Sequence, residues 1–137
     1  MKAGAKGHGK DARRLREFNA FDNFSDDELE RLVRAARHIS TSGAWPLIHE
    51  KTPSDACYIL LSGEAAVYVG QDRIAVVEPG EVIGESVLRR GKLRNATVTT
   101  TGPAEVLAIG RDDLASLLDE IPALRETMDV SAARHHV

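Results

Sequence analysis

The sequence predicts a protein that is mainly β with flanking α-helices, and three observations carry that expectation. Apolar residues recur at three- and four-residue spacing between Ser25 and His38, alternate singly through residues 45–76, and return to helical spacing after Asp112. A period near ~3.6 residues marks one face of a helix, whereas a period of two marks one face of a strand.

The elements follow in order. Residues 1–10 hold three glycines, three lysines and almost nothing to bury. A disordered basic leader is therefore expected ahead of one domain over residues 11–137. A short helix is expected from Asp11 to about Phe18. The next helix start is well marked: Ser25 precedes Asp26, Asp27 and Glu28. That is a Ser-x-x-Glu capping box with acidic residues on the positive end of the helix dipole. Phe24 before the cap can pack on Leu29 as a hydrophobic staple. Leu29, Leu32, Val33 and Ala36 then form one stripe, which predicts a helix through about His38.

Beyond Ser42-Gly43, the residues Trp45, Leu47, Cys57, Ile59, Leu61, Ala65, Val67, Val69, Ile74 and Val76 alternate with less apolar neighbours. Turns are expected at Thr52–Asp55, Ser62-Gly63, Gly70–Asp72, Pro79-Gly80 and Gly102-Pro103. Later strands are expected at Ala96–Thr101 and Glu105–Ile109. Many short strands at this spacing suggest a closed roll or a sandwich. Asp112 and Asp113 lead into a helix carrying Leu114, Leu117 and Leu118. Pro122, suited to a first helical turn, opens another that carries Leu124, Met128 and Ala132 on one stripe.

Composition narrows the function classes. The 137 residues are 42% hydrophobic, enough for one real core, but only 4% aromatic. Few rings argue against a stacking platform for single-stranded nucleic acid. No apolar run approaches the ~20 residues of a membrane span, and the N-terminus lacks the apolar stretch of a signal peptide. The single cysteine, Cys57, excludes an intrachain disulfide, fits a cytoplasmic location and alternates inward as core. Residues 1–16 carry +5 (Lys2, Lys6, Lys10, Arg13, Arg14 and Arg16 against Asp11), so the rest of a chain of net charge −3 carries −8. The basic arm suits an anionic surface or a solvated leader. The acidic body disfavours direct DNA reading.

One segment is more specific than the rest. Pro79-Gly80-Glu81-Val82-Ile83-Gly84-Glu85-Ser86-Val87-Leu88 is followed by Arg94-Asn95-Ala96. It sets a carboxylate and a guanidinium at the two ends of a short Gly-hinged stretch between apolar strands. A carboxylate accepts from a sugar hydroxyl, and a guanidinium is a planar fork for phosphate. A ligand presenting both groups close together is a ribose phosphate. The same pair could instead bond to each other and pin the loop.

At these residues the chain resembles the cyclic-nucleotide-binding domain family, whose phosphate-binding cassette reads Gly-Glu-apolar-small-Leu, a spacer, then Arg-x-Ala. Cys57–Glu64 and Val77–Glu81 are similar to the family's strand-and-hairpin and its approach to the cassette. The resemblance covers about Phe24 to Leu124. It implies a double-stranded β-roll, jelly-roll-like, with N-terminal helices, a short cassette helix and two C-terminal helices. It assigns Glu85 to the ribose hydroxyl and Arg94 to the cyclic phosphate, with amide donors near Ser86 and Val87. Gly84 would let the ligand approach the main chain, and Asn95 could donate to phosphate or base, or cap the strand.

What the resemblance implies is a stand-alone, non-enzymatic regulatory module that binds cAMP, or cGMP, and acts through a protein partner. No cofactor, metal or membrane span is expected. With no helix-turn-helix or kinase region in the sequence, neither sequence-specific DNA binding nor catalysis is expected. The alternative is a β-roll adaptor with a degenerate pocket. The β-branched Val87 stands where the family has a small residue, and only Arg134, His135 and His136 are left to cover a base. An apolar stripe on the last helix suggests a homodimer face. A metal-dependent β-roll enzyme is the weakest reading. None of His8, His38, His49, His135 and His136 forms a His-x-His pair in a strand, and Pro53 breaks the zinc-protease pattern begun by His49-Glu50.

Overall fold

The capping box predicted at Ser25 forms in full. The Ser25 hydroxyl accepts from the Glu28 N–H at 3.1 Å, and the Glu28 carboxylate accepts from the Ser25 N–H at 2.8 Å. Both orphan donors of the helix start are thereby satisfied within four residues of chain. The computed structural model containing this helix describes residues 5–53, 55–84 and 93–135.

The described elements run α1 (Ala5–Arg16), a 3-10 turn (Asn19–Phe21), α2 (Asp26–Ala35), β1 (Arg37–Thr41), β2 (Pro46–Ile48), β3 (Ala56–Ser62), β4 (Ala65–Val69), β5 (Asp72–Val77), β6 (Val82–Ile83), β7 (Thr97–Thr100), β8 (Ala104–Gly110), α3 (Arg111–Glu120) and α4 (Pro122–His135). The strands form two four-stranded antiparallel sheets, ordered β1-β8-β3-β6 and β2-β7-β4-β5. This is the roll flanked by helices at both chain ends.

Alternation along β3 and β8 divides the interior into two layers. Leu60, Val106 and Ile83 face the second sheet and pack with Ile48, Val67, Val77 and Val98. Cys57, Ile59, Leu61, Leu107 and Ile109 face the other way, onto Leu15, Phe21, Leu32, Leu114, Leu117, Leu124 and Met128 of the helices. The first sheet is thus buried on both faces, which is why β3 reads as a nearly continuous apolar run. Phe24 and Leu29, the expected staple, both lie in the helical layer.

Several expectations need correction. Helix α2 ends at Ala35, not His38: Ala36 is extended, and Arg37–Thr41 pair residue for residue with Ala108–Ala104. A complete antiparallel ladder outweighs the weak helix preference of those residues. Helix α1 begins at Ala5, ahead of the expected Asp11. Its buried anchors Asp11, Ala12 and Leu15 lie in the C-terminal half, from which helix extends backwards one bond per residue. In β2 the inward residue is Ile48, with Leu47 half-buried and Trp45, just ahead of the strand, 59% exposed, and in β5 it is Val77, with Ile74 50% exposed. Irregular register between Pro46 and Ile48 and between Val67 and Tyr68 shifts the phase of alternation.

At the C-terminus, Pro122 opens α4 as expected. Leu124 and Met128 are buried against the chain's own helical layer, so the stripe read as a dimer face is covered within one copy. Among the described residues no helix is long and apolar enough to cross a membrane.

Candidate ligand-binding site

The backbone fixes Arg94 before its side chain does anything. Its N–H donates to the Thr52 carbonyl at 2.8 Å, its carbonyl accepts from the Lys51 N–H at 2.7 Å, and Leu93 bridges to Pro53. The turn that follows His49 therefore grips the chain on its way into β7. Arg94 and Ala96 are buried while Asn95 between them is exposed, so alternation points the guanidinium inward and the Asn95 side chain outward.

The guanidinium is 3% exposed. Its Nη1 donates to the Gly84 carbonyl at 3.4 Å, its Nη2 donates to the Ala56 carbonyl, and the exposed Asp55 carboxylate stands 4.0 Å away. Burial pulls its pKa below the ordinary arginine value, opposed by Tyr58 and Asp55. A buried guanidinium beside carbonyl dipoles and the Asp55 carboxylate keeps the planar donor fork that also suits an entering anion. Cys57, beside Ala56, is fully buried and its thiol is pushed up to about 12 by burial, so it is an inert core residue.

Gly84 closes β6 with φ +95°, in the region that L side chains avoid, and a Cβ there would lie 2.7 Å from Arg94 Nη1. Gly80, four residues earlier, has φ +93° and packs against the Phe18 ring. Both glycines flanking the entry are required by backbone geometry, as expected. The structure brings Gly84 and Arg94 together and leaves Asn95 on the outer side. Glu85, Ser86 and Val87 lie outside the described residues.

Two charged neighbours of this segment, Asp55 and Glu81, carry little signal in the sequence. Asp55 reads as a turn residue, and its place beside Arg94 joins positions 39 residues apart in the chain. Glu81, 7% exposed, accepts from the Glu78 N–H at 2.8 Å and pairs with Arg134 of α4 at 3.1 Å. Next to it, the Val82 N–H donates to the Ser131 hydroxyl at 3.1 Å. Helix α4 is thus tied to the strand that leads into the Gly84 segment. The only sequence signal for this was a charged residue set inside an apolar strand approach.

Residues 46–121 match the family described as cyclic nucleotide-binding domain. The chain belongs to that family. It is 32% identical over 78 residues to a cAMP-dependent protein kinase regulatory subunit of Hypocrea atroviridis, covering 57% of this chain and 17% of that one. It is 35% identical over 101 residues to a cGMP-dependent protein kinase of Eimeria tenella, covering 68% of this chain and 10% of that one. The chain therefore spans less than a fifth of either relative. Its fold is similar to a solved structure of PKAR CBD2 bound to Sp-2Cl-cAMPS, with a TM-score of 0.78 at 22% identity over 91% of this chain and 86% of that one. The matched family span holds Gly84 and Arg94, and the fold likeness confirms the two-sheet roll with helices at both ends.

Proposed function

We propose that this chain is a non-enzymatic regulatory module that binds a cyclic nucleotide, cAMP first and cGMP second, and acts through a protein partner in the cytoplasm. The binding set is Gly84, Glu85, Ser86, Val87, Arg94 and Asn95. Residues 11–137 form the binding domain and the basic residues before it form a leader. The observation that carries the reading is the buried Arg94 guanidinium, fixed within reach of the Gly84 carbonyl inside the family-matched span.

Arg94 receives the cyclic phosphate, exchanging carbonyl contacts for a charge-assisted bidentate pair. Glu85 accepts from the ribose hydroxyl and sets orientation. Phosphate capture draws the segment after Gly84 inward, and α4, tied to Glu81 and Val82, responds to that movement. The ligand shifts α4 only as far as its affinity differs between the two arrangements.

One observation favours a second reading, an adaptor whose pocket is filled by its own chain. Arg94 is already bonded to Ala56 and Gly84. Calorimetric titration separates the two. On the sensor reading, wild type releases or absorbs heat with cAMP or cGMP, and Arg94→Ala weakens binding by about 2–5 kcal/mol, roughly 30-fold to several thousand-fold. No heat from wild type with either nucleotide leaves the adaptor.

A further inference from the structure

On the far side of the first sheet from the roll interior, His38 of β1 lies between two carboxylates. Its Nδ1 is 2.7 Å from Asp11 Oδ2 of α1, and its Nε2 is 3.0 Å from Glu105 Oε1 of β8. An ionised carboxylate only accepts. A neutral imidazole has one N–H, so one of these two contacts would set a nitrogen lone pair against a carboxylate oxygen. The imidazolium alone donates in both directions.

The surroundings support that form. From α1, Arg14 donates to both oxygens of Glu105 at 3.0 and 3.1 Å and stands 3.8 Å from Asp11. From β3, the neutral Ser62 hydroxyl donates to Glu105 at 3.0 Å. The Arg14 hydrogen bonds, with Ser62, hold Glu105 down at about 2, so it is ionised over the physiological range. Two carboxylates then balance two cations when His38 is protonated. A neutral ring leaves one negative charge uncompensated beside Asp11, whose side chain is only 4% exposed. Burying such a charge is costly.

We propose that His38 is a proton-operated clasp, whose imidazolium bridges Asp11 and Glu105 to hold α1 on β1 and β8 and whose deprotonation loosens that helix. The sign follows from the geometry: the bridging proton is held at low pH and given up as pH rises. Glu105 works in the other direction: it must be ionised to accept the bond, and its depressed pKa secures that. Arg14 keeps a direct hold on Glu105 throughout, so loosening is partial.

Thermal unfolding of wild type and His38→Gln from about pH 5.5 to 8.5 tests the clasp, since other histidines cancel in the difference. The expected result is that the wild-type advantage shrinks by about 3–6 °C across that range. A difference curve flat with pH overturns the proposal. Should His38→Gln not fold, ring ¹⁵N shifts of wild type answer instead. Both ring nitrogens protonated near pH 6, with the α1 amides Asp11–Leu15 shifting at the same midpoint as the ring, support the clasp. A neutral ring at that pH, or α1 amides indifferent to its titration, overturns it.

Discussion

Arg94 and Gly84 are fitted to each other: the guanidinium donates to the Gly84 carbonyl at 3.4 Å, and the space it needs is the space a Cβ at Gly84 would take. The glycine therefore serves two purposes, a positive φ of +95° and room for a buried cation. Neither could be met by another residue without moving the other partner.

Gly84→Ala follows directly. Strain at a left-handed backbone position costs about 1–3 kcal/mol, and the clash with Nη1 displaces the guanidinium besides. Urea denaturation should show a loss of ~2 kcal/mol or more, and nucleotide titration should show weakening comparable to Arg94→Ala. Unaltered stability would contradict the tight approach.

The tie between α4 and β6 combines a hydrogen bond with an ion pair to a buried carboxylate. Ser131→Ala removes the acceptor of the buried Val82 N–H and should cost about 1–3 kcal/mol. Arg134→Ala removes the cation paired with Glu81, whose side chain is only 9% exposed, and should likewise cost about 1–3 kcal/mol. Paired denaturation curves check both losses, and faster hydrogen exchange at Val82 should accompany only the first variant.

Acid should weaken the α1 attachment through Glu105. Its folded pKa is depressed from 4.5 to about 2, first by the Arg14 hydrogen bonds. A depressed carboxylate contributes stability that is present above its ordinary value and lost as pH falls towards the folded one. Between pH 4.5 and about 2, wild type should lose stability relative to Glu105→Gln, read from acid unfolding followed by circular dichroism. Parallel curves would remove Glu105 from the acid response.

Lys51 has φ +65°, the one non-glycine among the described residues in that region. Its N–H holds the Arg94 carbonyl, so the turn is maintained despite the strain. Lys51→Gly relieves a left-handed penalty of about 1–2 kcal/mol but adds chain entropy of about 0.5–1 kcal/mol. The net should be a gain of up to ~1 kcal/mol in denaturant midpoint analysis.

Much of the architecture was readable because it rests on neighbours in sequence. The Ser25–Glu28 box, the Pro122 helix start, the glycine turns at Gly63, Gly70 and Gly80, and the strand run Ala56–Ser62 each draw their energy from residues a few positions apart. Motif spacing likewise led to Arg94 and Gly84 before any geometry. These features are short-range, and short-range preferences are written in adjacent side chains.

Other features belong to contacts between distant segments. β1 exists because β8 offers a ladder some 67 positions away, as with Ile39 and Val106. Irregular register turns Ile48 inward and leaves Leu47 half-buried. The Asp11–His38–Glu105 bridge and the hold of Ala56 and Gly84 on Arg94 form only after both sheets are built. Local patterns specify which segments are helix or strand. Pairing partners, the buried face of each strand, and the company a charge keeps are settled by packing, because those free energies come from surfaces that meet only in the folded chain.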